Sequence, residues 1–166
     1  TFENRNKSFS RHQGSESAAI NKFNYNIVLS SSLIIKRSVL IKIGLFDELF
    51  GVGSIWGASE ETDVILRLLK ERYTIIYRPS IKVYHPMNRN SQFTVKKVAL
   101  KYYNYGLGRG ALLKKHSYLP SKLKVLELII RPAFGILISL LLLKFKNFIG
   151  YCSMLLGRMY GYHMFR

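Results

Sequence analysis

Glu60, Glu61 and Asp63 fall within four consecutive residues, Glu60-Glu61-Thr62-Asp63, just ahead of the apolar run Val64-Ile65-Leu66-Arg67-Leu68-Leu69. The periodicity of Val64, Ile65, Leu68 and Leu69 predicts a helix over 60–71, with all three carboxylates in its first turn. Unsatisfied backbone N–H groups and the helix dipole favour negative charge there. An ionised carboxylate so placed can accept a proton from an attacking hydroxyl, or can ligate a hard divalent cation. Glu60 and Asp63 are three apart and share a face, whereas Glu61 points elsewhere, so the three need not share one role. Acidic residues at a helix start, with Ser59 as N-cap, are also ordinary capping chemistry, and spacing alone does not choose between the two.

Other residues able to do chemistry surround this cluster. The stretch LFDELFGVGSIWGAS (45–59) reads as a loop punctuated by Gly51, Gly53 and Gly57. Within it, Trp56 offers either a face for a sugar ring or ordinary core packing. His85 closes an expected strand before Pro86, where it is a structural histidine or a metal ligand. The segment YYNYGLGRG (102–110) has the look of a glycine-rich phosphate loop, but it lacks a following Lys-Ser/Thr and follows no strand.

The elements that must position these residues come next. Residues 1–24 are polar and patternless, a loop or the remnant of a missing half. Residues 25–36 read as an extended segment, and RSVLIKIG (37–44) as a short helix closed by Gly44. YTIIY (73–77) and IKVYH (81–85) read as strands flanking the turn Arg78-Pro79-Ser80. Residues 92–117 read as one long helix that Gly106, Gly108 and Gly110 weaken or break. Residues 120–162 read as two helices lying in or dipping into one leaflet, with a spanning pair or a buried hairpin as alternatives. The densest apolar stretch, Ala133 to Leu143, is short of the roughly 20 residues a bilayer crossing needs. A region of 25–90 is thus followed by a basic helical region of 91–166.

Composition bounds the function. At 48% hydrophobic and 13% aromatic, the chain can bury a core, which argues against intrinsic disorder. The single cysteine, Cys152, leaves no internal disulfide framework; it fits a reducing compartment and reads as a small buried hydrophobe. Net charge is +17, unevenly spread: residues 96–166 carry 13 Lys/Arg against Glu127 alone. Basic residues on apolar helices favour an anionic membrane surface as partner over nucleic acid. A solvated basic face is the alternative.

The ordered pieces Phe46-Asp47-Glu48-Leu49-Phe50, Glu60-Glu61-Thr62-Asp63, Leu66-Arg67-Leu68 and Val83-Tyr84-His85 resemble the C-terminal part of the family 2 glycosyltransferases. The tail, YGLGRGALLKKH followed by amphipathic helices, is similar to bacterial members that build surface polysaccharides at the cytoplasmic face of the inner membrane. The resemblance implies an α/β fold, the acceptor-side part of a GT-A Rossmann-like domain followed by membrane-associated helices. It implies inverting transfer of a sugar from a nucleotide-sugar donor to a glycan or lipid-linked acceptor, aided by Mg²⁺ or Mn²⁺. The base position falls on Glu61, where the family has Asp, with Glu60 and Asp63 beside it. Trp56, Arg67 and Arg109 become substrate-binding candidates, and His85 a metal ligand. No Asp-Xaa-Asp metal motif of the donor half occurs, so the chain alone is expected to be inactive. A non-catalytic scaffold on a membrane surface is the alternative function.

Overall fold

A computed structural model of the chain describes residues 16–28, 30–81 and 93–166. These residues are mostly helical (61%), with one two-stranded sheet. A Rossmann-like parallel sheet is not among them, so the expected α/β character is present only as this small sheet beside helices. The chain divides into two compact units, 16–47 with 61–81 and 48–60 with 93–166.

In the first unit, β1 (Ala18–Ala19) pairs antiparallel with β2 (Ile76–Tyr77), with Ala18 opposite Tyr77 and Ala19 opposite Ile76. The Ile20 amide extends the ladder to the Ile75 carbonyl at 2.9 Å. The strand expected over 73–77 is therefore shorter, and its partner sits in the segment read as patternless loop. Two residues are too few to show an alternating pattern, and their pairing joins positions far apart in sequence. The extended segment expected over 25–36 is instead two 3₁₀ turns, Tyr25–Ile27 and Ser30–Ser32. Asn and Ser side chains offer the backbone local partners that compete with a ladder. Asn24 shows this: its Oδ1 accepts from the Asn21 amide at 2.6 Å and its Nδ2 donates to the Ala19 carbonyl.

Helix α1 (Arg37–Lys42) ends as its sequence predicts. Gly44 lies at φ +89°, the Gly44 amide donates to the Ile41 carbonyl, and the Leu45 amide to the Leu40 carbonyl. That pair of bonds is the Schellman closure that glycine accommodates without Cβ strain. Helix α2 (Glu60–Lys70) buries Val64, Ile65, Leu66 and Leu68. Ser59 precedes it at φ +80°, outside the extended region an N-capping serine normally occupies.

The second unit is built on helices α3 (Val95–Lys115), α4 (Ser121–Val125), α5 (Arg131–Leu141) and α6 (Phe145–Met164). A π-helical turn, Leu126–Ile130, joins α4 to α5 without a break. Its cause is Pro132: proline lacks an N–H and its ring crowds the carbonyl four residues back, so the turn widens. The Arg131 amide accordingly donates to the Leu126 carbonyl, five residues back.

Gly106, Gly108 and Gly110 do not break α3, and the helix runs through all three. A Cβ on Gly106 or Gly110 would lie 2.3 or 2.1 Å from the Met154 or Arg158 carbonyl oxygen of α6. On Gly108 it would meet the Ala58 carbonyl at 2.4 Å, on another side of the helix. Helix α6 answers in kind, with Gly157 and Gly161 seated on the Tyr103 and Leu107 carbonyls. Residue numbers rise together along this contact, so α3 and α6 run parallel, backbone against backbone. Among the described residues no helix is long and apolar enough to cross a membrane.

Candidate functional site

Asp63 lies in the first turn of α2 and is fully buried, with Thr62 beside it at 2% exposure. Its Oδ2 accepts from the Arg67 Nε at 2.8 Å, one turn further along the helix. Arg67 spends the rest of its fork on backbone: Nη1 donates to the Ile43 carbonyl and Nη2 to the Leu45 carbonyl, the latter at 2.6 Å. Both acceptors lie just past the C-terminus of α1, where the last carbonyls of a helix lack intrahelical partners. Asp63 and Arg67 thus form one clamp tying α2 to the closing turn of α1. The planar, always-charged guanidinium suits this task, since it offers several donors in fixed directions.

Glu61 is half-buried and faces a different environment. It lines a hollow of about 210 Å³ together with Ser30, Leu33, Ile35, Leu40 and Phe46. Its walls are thus mostly apolar, with Glu61 and Ser30 as the polar residues. A second hollow of about 250 Å³ is lined by Lys42, Ile43, Arg67, Lys70, Glu71 and Tyr73, where Glu71 and the pairing of Arg67 with Asp63 offset much of the positive charge.

Glu60, Trp56 and Arg109 belong to the second unit. The Glu60 carboxyl lies over Gly51, which takes φ +110°, a conformation that favours glycine. The loop expected over 45–59 is present, turning at Gly51, Gly53 and Gly57, all at positive φ. Trp56 is half-buried and its ring packs on Phe165 at 5.5 Å between centroids. Phe165 also meets Phe50, and the Lys115 ammonium lies 5.0 Å from the Phe50 ring. Trp56 therefore belongs to an aromatic group that joins the loop to the helices. Arg109 is on α3 with its Nη1 buried. His85 lies outside the described residues.

Sequence reasoning did not single out the buried ionic residues of the second unit. Glu127, 1% exposed, is paired with Arg131 one turn on. Arg158 is buried in α6 where Gly106 and Gly110 pack, and His116 is buried with its ring edge-on to Tyr118. The Glu127–Arg131 pair had a visible signal, an isolated acid four residues before an arginine. Arg158 had none. Lys124 titrates below the ordinary lysine value, because burial strips part of its hydration and Lys114 adds like charge.

The described residues supply hard oxygen donors suited to Mg²⁺ or Mn²⁺, but Asp63 is already tied to Arg67. Among the described residues no three His, Cys, Asp or Glu side chains converge to hold a metal. Comparison with protein-family models, curated proteins and solved structures finds no match.

Proposed function

We propose that this chain is the acceptor-side part of a GT-A glycosyltransferase, with Glu61 as the general base. The observation that carries the reading is the hollow in which Glu61 is the carboxylate on otherwise mostly apolar walls. In this reading the acceptor sugar lies against Leu33, Ile35, Leu40 and Phe46. Its hydroxyl gives a proton to Glu61 as the oxygen attacks the anomeric carbon of the donor. The glycosidic bond forms, the bond to the diphosphate breaks, and the nucleoside diphosphate leaves with the electron pair. Attack opposite the leaving group inverts the anomeric centre. The donor's nucleotide and a divalent cation are held by a separate nucleotide-binding half, and the product is a bacterial surface glycan made at the cytoplasmic face of the membrane.

The test is transfer from a panel of nucleotide-sugars by the protein that joins this chain to that half. Glu61→Gln keeps size and polarity, removes the base, and is expected to lower kcat by about a hundredfold to ten-thousandfold. Near-normal turnover of this variant sinks the assignment. A second reading, a non-catalytic scaffold, is favoured by the structural employment of Asp63 and Arg67, two residues the resemblance nominates for the site. It predicts no transfer from any nucleotide-sugar, with or without the substitution.

A further inference from the structure

Helix α5 is arranged contrary to a helix in water. The side it buries carries Pro132 and Ser139, with Gly135 seated against the Tyr151 ring of α6. The side it exposes carries Ile130 at its entry, then Phe134, Leu137, Ile138 and Leu141, all 39–68% exposed. Those positions are spaced three and four apart, so they form one continuous apolar stripe. Small residues inward and large apolar ones outward is the pattern of helices packed in an apolar solvent, where only close contact holds them together.

The turn after α5 extends the stripe. Leu140, Leu141, Leu142, Leu143, Lys144 and Phe145 are consecutive and all exposed, Leu143 at 89%. Leu143 occupies the left-handed C-terminal position, φ +51°, where glycine is usual; the Lys144 amide closes the turn onto the Ser139 carbonyl at 2.8 Å. A leucine there is strained and solvent-exposed, so the fold holds a bulky apolar group outward at the tip of the hairpin. Lys144 follows that tip directly and Lys146 two residues on, the Lys146 ammonium donating to the Phe93 carbonyl at 3.1 Å. The region from residue 96 onward carries 13 Lys/Arg against Glu127, itself paired with Arg131.

We propose that the α5–α6 hairpin lies in one leaflet of an anionic bilayer, its α5 stripe and Leu143 turned toward the acyl chains. The stripe from Ile130 to Leu141 lies at the acyl boundary, and Lys144 reaches back to the lipid phosphates. The charge selects this occupant: an apolar face alone suits any apolar partner, whereas one that ends on Lys144 within a strongly basic region suits an anionic lipid surface. Insertion is shallow, because no helix among the described residues is both long and apolar enough to cross the hydrocarbon core. The inference rests on exposure and charge and not on the transfer reaction.

Flotation of the chain with phosphatidylglycerol-containing vesicles and with pure phosphatidylcholine vesicles tests it. The chain is expected to float with the first and far less with the second. Leu141→Asp with Leu143→Asp is expected to lower partitioning on the order of tenfold or more, with the far-UV circular dichroism unchanged. Lys144→Gln is expected to lower it about fivefold in the anionic vesicles alone. In Leu143→Trp with Trp56→Phe, the indole emission is expected to shift to the blue on vesicle addition and to be quenched by brominated acyl chains. The proposal is overturned if the chain stays unbound, if the Asp variants float as well as the parent, or if the indole emission of the Leu143→Trp variant is unmoved. It is also overturned if lipid-free sedimentation shows an oligomer that the Asp variants dissolve, for the face is then an interface between copies.

Discussion

Three residues of the acidic start of α2 divide labour by environment. Asp63 is fully buried and accepts from Arg67, while Glu61 lines an open hollow and Glu60 rests over Gly51. A carboxylate without solvent must have a charged partner, which makes Asp63 a structural acid before any other role. Asp63→Asn removes the charge from that bond and leaves the Arg67 guanidinium without its counter-ion. We expect a loss of about 2–3 kcal/mol, read as a lower urea midpoint at unchanged slope. Arg67→Lys should cost a similar amount, because a lysine cannot serve the Ile43 and Leu45 carbonyls and Asp63 together. Glu61→Gln, by contrast, is expected to leave stability within about 0.5 kcal/mol while removing turnover, since Glu61 is half-exposed. A large stability loss in Glu61→Gln would make Glu61 a fold residue instead.

At the scale of elements, α3 and α6 are held by the absence of side chains. Gly161 shows the balance of effects. Alanine there gains about 1 kcal/mol of helix propensity, but its Cβ would stand 2.1 Å from the Leu107 carbonyl oxygen. Backbone cannot swing aside as a flexible side chain can, so the helices must separate along their length. Gly161→Ala and Gly110→Ala are each expected to destabilise by about 1–3 kcal/mol net, measured by thermal unfolding. Stabilisation by either would mean that the two backbones do not pack so closely. The same logic explains why a glycine-rich segment is a helix. Propensity counts the entropy a glycine loses, whereas the fold counts the contact that only a glycine permits.

At the scale of the whole molecule, charge dominates. With +17 in total, 26 Lys/Arg stand against 9 Asp/Glu, of which Asp63 and Glu127 are each paired with an arginine. Lys124, shifted by burial and by Lys114, registers this locally. Raising salt from low ionic strength is therefore expected to raise Tm, by screening repulsion more than it weakens ion pairs. A falling Tm would show that the ion pairs outweigh the repulsion. Anionic vesicles should raise Tm further if they bind the native chain, increasingly so as lipid concentration rises.

Much of the local structure could be read from the residues in order. The α1 closure at Gly44, the helix from Glu60, the turning loop at Gly51, Gly53 and Gly57, and a long helix from Val95 all follow from short-range chemistry. Capping, periodicity and left-handed glycines act within a few residues, so one sequence window contains the whole cause. The pairing of Ala18–Ala19 with Ile76–Tyr77 and the clamp from Arg67 to Ile43 and Leu45 join residues distant in the chain. So does the seating of Gly106 and Gly110 on α6. No window holds both partners of such contacts. The amino-acid order alone set where carboxylates, glycines and cations stand. Only the tertiary structure decided that Asp63 is occupied with Arg67, that Glu61 opens on a hollow, and that α5 turns its large apolar side chains outward. Burial and pairing depend on what lies opposite a residue, and that is settled when the chain folds.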